Sequence, residues 1–470
     1  MKALQKITPL LLIFFAYQLG IGQELPRKAS LGIGVVTLND SIAEINNLSL
    51  SKGVLISRVI PNSTSDALKL VEGDVITSIN DTEIMNRSQV FSIARELREG
   101  NPIKINIVRN GRAKKVKGKA LGKPKELASE GVEVLYRSIQ TDFGLLRTII
   151  HKPLHVETSP AIFFLQGIYC GSQDFWAVPT EPLKLLIDDF AKAGYTVYRV
   201  ERPSMGDSEG EKHCRDLNYA EELAIHKAAY KDFIALPFVN KSELFLFGHS
   251  MGSVTAPLLA QDYTPKGVIV YAPVYKTWFE YFLDNFRTVP VHFGVETKEQ
   301  IDAMVRNSIP LLYQWLIEEK SPEEIRKDPA NKILLEQELN AFNYNEGDYF
   351  FGRHYSFFSG LNKINNAKTW AKVNTNVLAM YGSSDHQGIS VEPAKDIVAT
   401  VNEIKEGAGT FMEIPEADHV FARVKSKKEG ARLILSNEYV RYIRENYHVN
   451  IAKKTMEWME KQRALDSPEG

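Results

Sequence analysis

The sequence predicts an α/β chain: a sheet covered by helices and interrupted by a helical insertion, with a smaller strand-rich unit ahead of it. Three observations carry this. Between Ala161 and Pro273 short apolar runs alternate with stretches of helical period, the spacing of a parallel sheet with crossover helices. From about Val274 to Ala371 the alternation stops and the pattern turns helical and aromatic, with Trp278, Phe282, Trp315, Phe350 and Phe358 among its residues. Finally, Glu243-Leu-Phe-Leu-Phe-Gly248-His-Ser250-Met-Gly252 reads as an apolar strand, a tight turn and the start of a helix, with a serine at the turn.

The chain opens with Lys2 and Lys6 ahead of the apolar run Leu10 to Tyr17, and small residues follow at Gly20 and Gly22. That is the pattern of a secretory signal peptide, assigned to residues 1–22. The run is too short to cross a bilayer as a helix, and stable membrane insertion is not expected. A formal net charge of −1 provides no general field for nucleic acid or an acidic membrane.

Ser30 to Thr37 and Gly53 to Ile60 read as strands, and Asp66 to Leu70 as one helical turn. Val71 to Asn80 is a turn and strand, and Asn86 to Arg98 an amphipathic helix with Val90, Ala94 and Leu97 on one face. Ile103 to Val108 and Arg112 to Gly118 flank the hairpin turn Asn110-Gly111. The phrase Gly53-Val-Leu-Ile-x-x-Val-Ile-Pro61-x-Ser63, followed by Leu70-x-x-Gly73-Asp74-Val-Ile-x-x-Ile-Asn80, resembles a PDZ domain, and the resemblance covers 30–120. It implies that Leu31, Gly32 and Ile33 form a carboxylate-binding loop, where a peptide C-terminus or a second protein adds a strand beside the helix. This unit has no nucleophile or base arrangement, so its groove is expected to stand apart from the chemistry as a docking or regulatory surface; a purely structural or intramolecular role, packed against the rest of the chain, stays open beside it. The charged stretch 121–130 reads as a linker.

Val132 to Ile139 and Phe143 to Ile150 form the next strand pair, followed by the strand Ala161 to Leu165. Leu183 to Ala193 is a helix, Tyr195 to Val200 a strand, and Tyr219 to Leu236 a helix with Leu223, Ala224, His226, Ala228 and Phe233 inward or flanking. Gly267 to Pro273 is a strand before the insertion and Asn376 to Tyr381 one after it. Pro393 to Glu406, the strand Gly409 to Ile414 and the helices of Lys428 to Met459 complete the chain.

G-x-S-x-G is a short pattern, with a chance match about 15% of the time at this length, and a second copy stands at Gly206-Asp-Ser208-Glu-Gly210. Only Ser250 has a strand directly before it and a helix directly after, the context of a nucleophile elbow. With that elbow, 131–467 resembles the α/β-hydrolase fold, its cap at about 274–371. The resemblance implies a triad of nucleophile, acid and histidine in chain order: Ser250, Asp385 just past the strand ending at Tyr381, and His419 after the last strand. It also implies an oxyanion hole from the backbone N–H groups of Met251 and Ile168. Arg202 to Gly210 resembles the family loop R-G-x-G-x-S-x-G, with Pro203 in place of the first glycine.

His249 is expected to be turned away by the elbow, His386 to be a spectator and His226 a packed helix residue. His151, His155 and His213 show no metal-ligand spacing, so neither metal nor cofactor is implied. Cys170 and Cys214 lie in loops that this fold brings to the active-site edge, and an even count in an exported chain invites a disulfide. The expected activity is that of a secreted or periplasmic serine hydrolase cleaving a small-molecule ester through an acyl-enzyme, with an aromatic cap suited to an apolar acyl or aromatic group. A peptidase resembling the prolyl oligopeptidase group and an acyltransferase remain open alternatives.

Overall fold

Alternating apolar residues after Ser30 pair into a six-stranded sheet: β1 (Ile33–Thr37), β2 (Val54–Val59), β3 (Val75–Ile79), β4 (Thr82–Glu83), β5 (Pro102–Arg109) and β6 (Arg112–Lys119). Every pairing is antiparallel, in the order β1-β2-β3-β5-β6 with β4 on β3, so β1 is an edge. The helix Arg87–Glu96 lies by that edge, its first N–H donating to Thr37 Oγ1 on β1. A capping box between Asn86 and Gln89 starts it, and Val90 buries into a core with Leu31, Ile56, Ile76 and Ile105. The polar stretch after Thr37 forms a short helix, Asp40–Ile45. The structure, a computed structural model, describes residues 25–46, 52–294, 296–331, 347–388 and 390–465. The signal-like segment 1–22 lies outside the described residues.

The larger domain is built on β7 (Val132–Thr141), β8 (Gly144–Pro153), β9 (Ser159–Leu165), β10 (Thr196–Val200), β11 (Val239–His249) and β12 (Gly267–Tyr271). The insertion follows, with a small hairpin of β13 (Tyr349–Phe350) and β14 (Arg353–His354), and then β15 (Asn376–Gly382) and β16 (Gly409–Ile414). Eight strands order as β16-β15-β12-β11-β9-β10-β8-β7, parallel from β16 to β10, with β8 and β7 antiparallel at the far edge. Parallel strands need crossovers, and the helices Pro182–Lys192, Tyr219–Ala235 and Gly252–Asp262 supply them. Because helices cover both faces, the inner strands are apolar throughout: Phe163, Leu246, Val268 and Ala379 bury on one side, and Ile162, Phe247, Ile269 and Met380 on the other.

In the helix Tyr219–Ala235, His226 and Phe233 are inward and Leu223 and Ala228 flanking, as expected, and Ala224 alone departs. The buried stripe of the helix is Glu222, Ile225, His226, Ala229, Tyr230 and Phe233, whereas Ala224 is exposed and Leu223 and Ala228 are half-buried. A buried carboxylate, Glu222, takes a place on the inner face that an apolar count does not assign. The insertion contributes helices Trp278–Phe293, Lys298–Leu316 and Tyr355–Asn362 around a separate aromatic core, where Phe282 stacks on Trp315 and Phe351.

The N-terminal module does not stand apart. Arg27, 5% exposed, bonds Asp174 and Asp207 of the larger domain at 2.5 Å each, and Lys28 N donates to Asp207 Oδ1 at 2.8 Å. Arg98 donates to the Asp207 carbonyl, while Arg147 reaches both Asp207 and the Leu25 carbonyl. The stretch 121–130 is anchored as well: Glu126 is buried against Arg199, His151 and the Phe175 N–H. Although burial opposes its charge, Arg199 and His151 hold the Glu126 carboxyl far below the usual carboxylate range.

A disulfide joins Cys170 and Cys214, closing a separation of 44 residues. Thiol titration of the unfolded, unreduced chain should therefore find no free cysteine. Replacing both cysteines by serine should lower the unfolding free energy by about 4 kcal/mol on the chain-entropy account, read from denaturant midpoints.

Candidate active site

The elbow is forced by close approach. A Cβ on Gly248 would lie 2.6 Å from the Gly252 carbonyl oxygen, and one on Gly252 would lie 2.3 Å from that of Leu165. Between them Ser250 takes φ +54, the left-handed region that a serine enters at a cost. Its N–H donates to the Tyr271 carbonyl at 2.9 Å, tying the turn to the head of β12. Met251 caps the helix Gly252–Asp262 with its backbone, and its side chain packs into the core of the insertion.

Asp385 follows β15 and His419 follows β16, neighbouring strands on one side of the elbow. The two meet: His419 Nδ1 lies 2.9 Å and 3.1 Å from the carboxylate oxygens of Asp385. Since a carboxylate only accepts, Nδ1 carries the proton and Nε2 is left with a free lone pair. The N–H groups of Gln387 and Gly388 also donate to Asp385 Oδ1, at 2.9 Å and 2.6 Å. Burial disfavours charge on both partners, yet mutual attraction and the hydrogen bond win: the Asp385 carboxyl is held below its usual range and the His419 imidazole above its own. Among the described residues Ser250 makes no side-chain hydrogen bond. It shares with His419 the wall of one cavity.

That cavity is about 490 Å³ and is lined by Trp278, Tyr281, Phe282 and Phe358 from the insertion, opposite Ser250 and His419. Its other wall is the loop after β9, Gln166 to Tyr169. A Cβ on Gly167 would lie 3.3 Å from Ser250 Cβ and 3.7 Å from its Oγ. Inspection of sequence missed what holds this loop. Arg202 donates to the carbonyls of Gly167 and Tyr169, each at 2.7 Å, and Arg353 donates to that of Ile168 at 3.1 Å. Both guanidinium groups close on Glu222, at 2.6 Å and 2.5 Å. In a trans peptide the C=O and the following N–H point opposite ways. A Gly167 carbonyl held by Arg202 therefore turns the Ile168 N–H to the other side of the loop. Burial would raise the Glu222 carboxyl, but the two arginines hold it well below the usual range.

Two further groups brace His419. His249 donates Nε2–H to the His419 carbonyl at 2.8 Å, so the elbow does not simply turn it away. Burial pushes this imidazole down to about 3, which keeps it neutral. Asp418 accepts from the N–H groups of Val420 and Ala422 and, at 2.6 Å, from the Tyr439 hydroxyl, shaping the loop that carries His419. Burial raises its carboxyl to about 6. His226 is buried beside Glu222, and His386 is buried and pushed down to about 4 by burial. Ser208 is buried and accepts from the Arg147 N–H, so the second G-x-S-x-G is part of a packed loop.

Comparison with known proteins agrees with the fold. Residues 29–119 match the family model described as PDZ domain, and 182–341 match the one described as serine aminopeptidase, S33. A PDZ domain leads into an α/β-hydrolase domain. A probable serine protease do-like of Buchnera aphidicola is 31% identical over 90 residues, 19% of each chain. The periplasmic pH-dependent serine endoprotease DegQ of Escherichia coli is 29% identical over 86 residues, 18% of this chain and 19% of that one. This chain thus spans about a fifth of the length of the curated relatives it matches, and the likeness is confined to the PDZ domain. Among solved structures, Est1E from Butyrivibrio proteoclasticus with ferulic acid bound covers 64% of this chain and 99% of its own, at 15% identity and a TM-score of 0.40.

Two measurements test the hydrolase site. Followed by NMR, the His419 ring should titrate above 6.5, the ordinary histidine value. Asp385→Asn should move that midpoint down, because the stabilising negative charge is gone while burial remains. Glu222→Gln should lower the unfolding free energy by about 3–5 kcal/mol, since two buried guanidinium groups lose their counter-charge.

Proposed function

We infer that this chain is an exported serine hydrolase that cleaves carboxylic esters of apolar or aromatic acyl groups through an acyl-enzyme. The observation that carries the reading is Ser250 at φ +54 on a strand-to-helix elbow, sharing an aromatic-lined cavity with the Asp385–His419 pair. In this reading His419 Nε2 accepts the Ser250 proton as Oγ bonds to the carbonyl carbon. The resulting oxyanion is met by the N–H groups of Ile168 and Met251. Collapse breaks the bond to the leaving alkoxide, which takes its proton from His419. Water then repeats the cycle and releases the acid.

The cavity wall favours an ester over an N-terminal peptide substrate. An aminopeptidase must bind an ammonium group. The described residues on the wall, from Gln166 to Val420, include no carboxylate. What the wall does offer is neutral: it includes Gln166 and Trp278, whose carboxamide and indole N–H are buried without hydrogen-bond partners. The match to a model described as serine aminopeptidase keeps the peptidase as a second reading. An acyltransferase differs only in the alcohol that replaces water.

Export is supported by the signal-like segment 1–22, by the disulfide, and by curated relatives that are periplasmic. The PDZ domain is assigned a peptide-docking role through Leu31, Gly32 and Ile33. Assay of the mature chain on p-nitrophenyl esters of increasing acyl length, beside aminoacyl p-nitroanilides, should show turnover of the esters. Ser250→Ala should remove about 10⁴-fold of kcat or more. Preference for the anilides, or fluorophosphonate labelling of Ser208, would overturn the assignment.

A further inference from the structure

Two residues mark the mouth of the Ser250 cavity. Among the described residues on its wall only Tyr169 and Gln387 are exposed, and the others are buried or half-buried. Tyr169 is the more open of the pair, with 80% of its surface exposed. A lone exposed aromatic on a surface loop is ordinary. This one stands on a loop that cannot give way. Its carbonyl accepts from Arg202 at 2.7 Å, the Ile168 carbonyl accepts from Arg353 at 3.1 Å, and Cys170 is bonded to Cys214. The ring lies against Gly171, where a Cβ would come within 2.3 Å of Tyr169 Cε1. The chain therefore fixes the backbone on both sides of a ring that it leaves open to solvent.

We propose that Tyr169 is a leaving-group platform: an aromatic ring on the substrate's alcohol packs against it at the cavity mouth, so that esters of benzyl-type alcohols are preferred. The inference rests on the hydrolase reading and deepens it, naming the half of the ester that the cavity interior does not hold.

The scissile carbonyl divides an ester into an acyl part and an alcohol part. Trp278, Phe282 and Phe358 of the insertion are buried and give the interior an aromatic wall, which suits the acyl part. The alcohol then points toward the mouth, where Tyr169 and Gln387 stand. The described wall carries no lysine, arginine, aspartate or glutamate, so an uncharged alcohol fits it best. Covering the exposed ring with a second ring removes apolar area from water and adds the favourable geometry of an aromatic pair. Little freedom is lost in doing so, because a tyrosine has two side-chain torsions and the backbone beneath it is already ordered. The same rigidity fixes the ring relative to the nucleophile. Gly167, two residues before Tyr169, approaches Ser250 so closely that a Cβ on it would lie 3.3 Å from the serine Cβ. Gln387 is held too, its N–H donating to Asp385 and its carbonyl accepting from the Tyr281 hydroxyl at 3.1 Å.

The test is the partition of the acyl-enzyme, since the site an alcohol leaves from is the site an alcohol attacks from. The mature chain is supplied with a p-nitrophenyl ester together with benzyl alcohol, cyclohexylmethanol or methanol, three primary alcohols of similar basicity. New ester is then measured against free acid. In the transfer step the alcohol oxygen bonds to the acyl carbon and its proton passes to His419 Nε2. The bond from that carbon to Ser250 Oγ breaks, and Oγ takes the proton from His419. The acyl-enzyme is common to every arm, so effects on acylation or on the folded fraction cancel in the ratio. Benzyl alcohol should capture the acyl group about fivefold better per mole than either other alcohol, or about 1 kcal/mol, the range of an aromatic pair. Tyr169→Ala should abolish that preference and Tyr169→Phe should keep it. An unchanged ratio in Tyr169→Ala, or equal capture by cyclohexylmethanol, would overturn the platform, while turnover of the ester leaves the hydrolase reading standing. If aminoacyl anilides are turned over in place of esters, the same partition is read from their acyl-enzyme. A benzyl preference lost in Tyr169→Ala then supports the platform although the ester reading falls. No acyl transfer to water or alcohol, with no fluorophosphonate label on Ser250, would sink both.

Discussion

Glu222 is buried between Arg202 and Arg353, and the active-site wall depends on that cluster. Three ionised groups inside a protein are stable only when each is satisfied, because the desolvation of every charge has to be offset by its partners. Here the remaining donors of the two arginines go to the carbonyls of Gly167, Ile168 and Tyr169. The cluster therefore converts electrostatic necessity into backbone direction. With those carbonyls occupied on one side, the N–H groups of the same peptides are turned to the other, as the proposed oxyanion hole requires. Arg353 also lies 3.6 Å over the Phe357 ring, so the insertion is tied to the loop after β9.

The cavity beside this wall is apolar on the cap side and neutral on the loop side, apart from the Asp385–His419 pair itself. Burial is what gives that pair its strength. In water an exposed imidazole and carboxylate attract weakly, whereas here their separation of 2.9 Å in a buried setting overrides the penalty that each incurs for being charged. His249 and Asp418 complete the frame. One holds the His419 backbone and the other shapes its loop, and both are shifted by burial in the direction that suppresses charge.

Segment 166–176 gives the molecule its connectedness. It leaves the centre of the sheet, passes Ser250, is stapled by the Cys170–Cys214 bond, and near its end Asp174 is gripped by Arg27 from the N-terminal side. A PDZ groove that opened to solvent would be a docking surface and nothing more. This groove opens onto the hydrolase, because Arg27 and Arg98 from the N-terminal side meet Asp207, and Arg147 beside it reaches back to the Leu25 carbonyl.

The sequence by itself determined the order of strands and helices, the elbow and the chain order of Ser250, Asp385 and His419. These follow from local physics: apolar period, the closeness that demands glycine at 248 and 252, and loops at the ends of adjacent strands. The pairing of Cys170 with Cys214 was legible for a related reason, since two cysteines allow one bond. Only the tertiary structure decided the rest. Glu222 looks like any polar helix residue, and its partners stand 20 and 131 positions away, so no window of sequence contains the cluster. On the helix Tyr219–Ala235 only Ala224, of the residues expected inward or flanking, is exposed, and the buried Glu222 is a paired charge that apolar counting does not place inward. Arg27 reads as a surface cation beside a signal segment until Asp174 and Asp207, 147 and 180 positions on, are folded against it. Long-range charge pairing leaves no periodic trace, and that is why the placement of the two domains belonged to the structure alone.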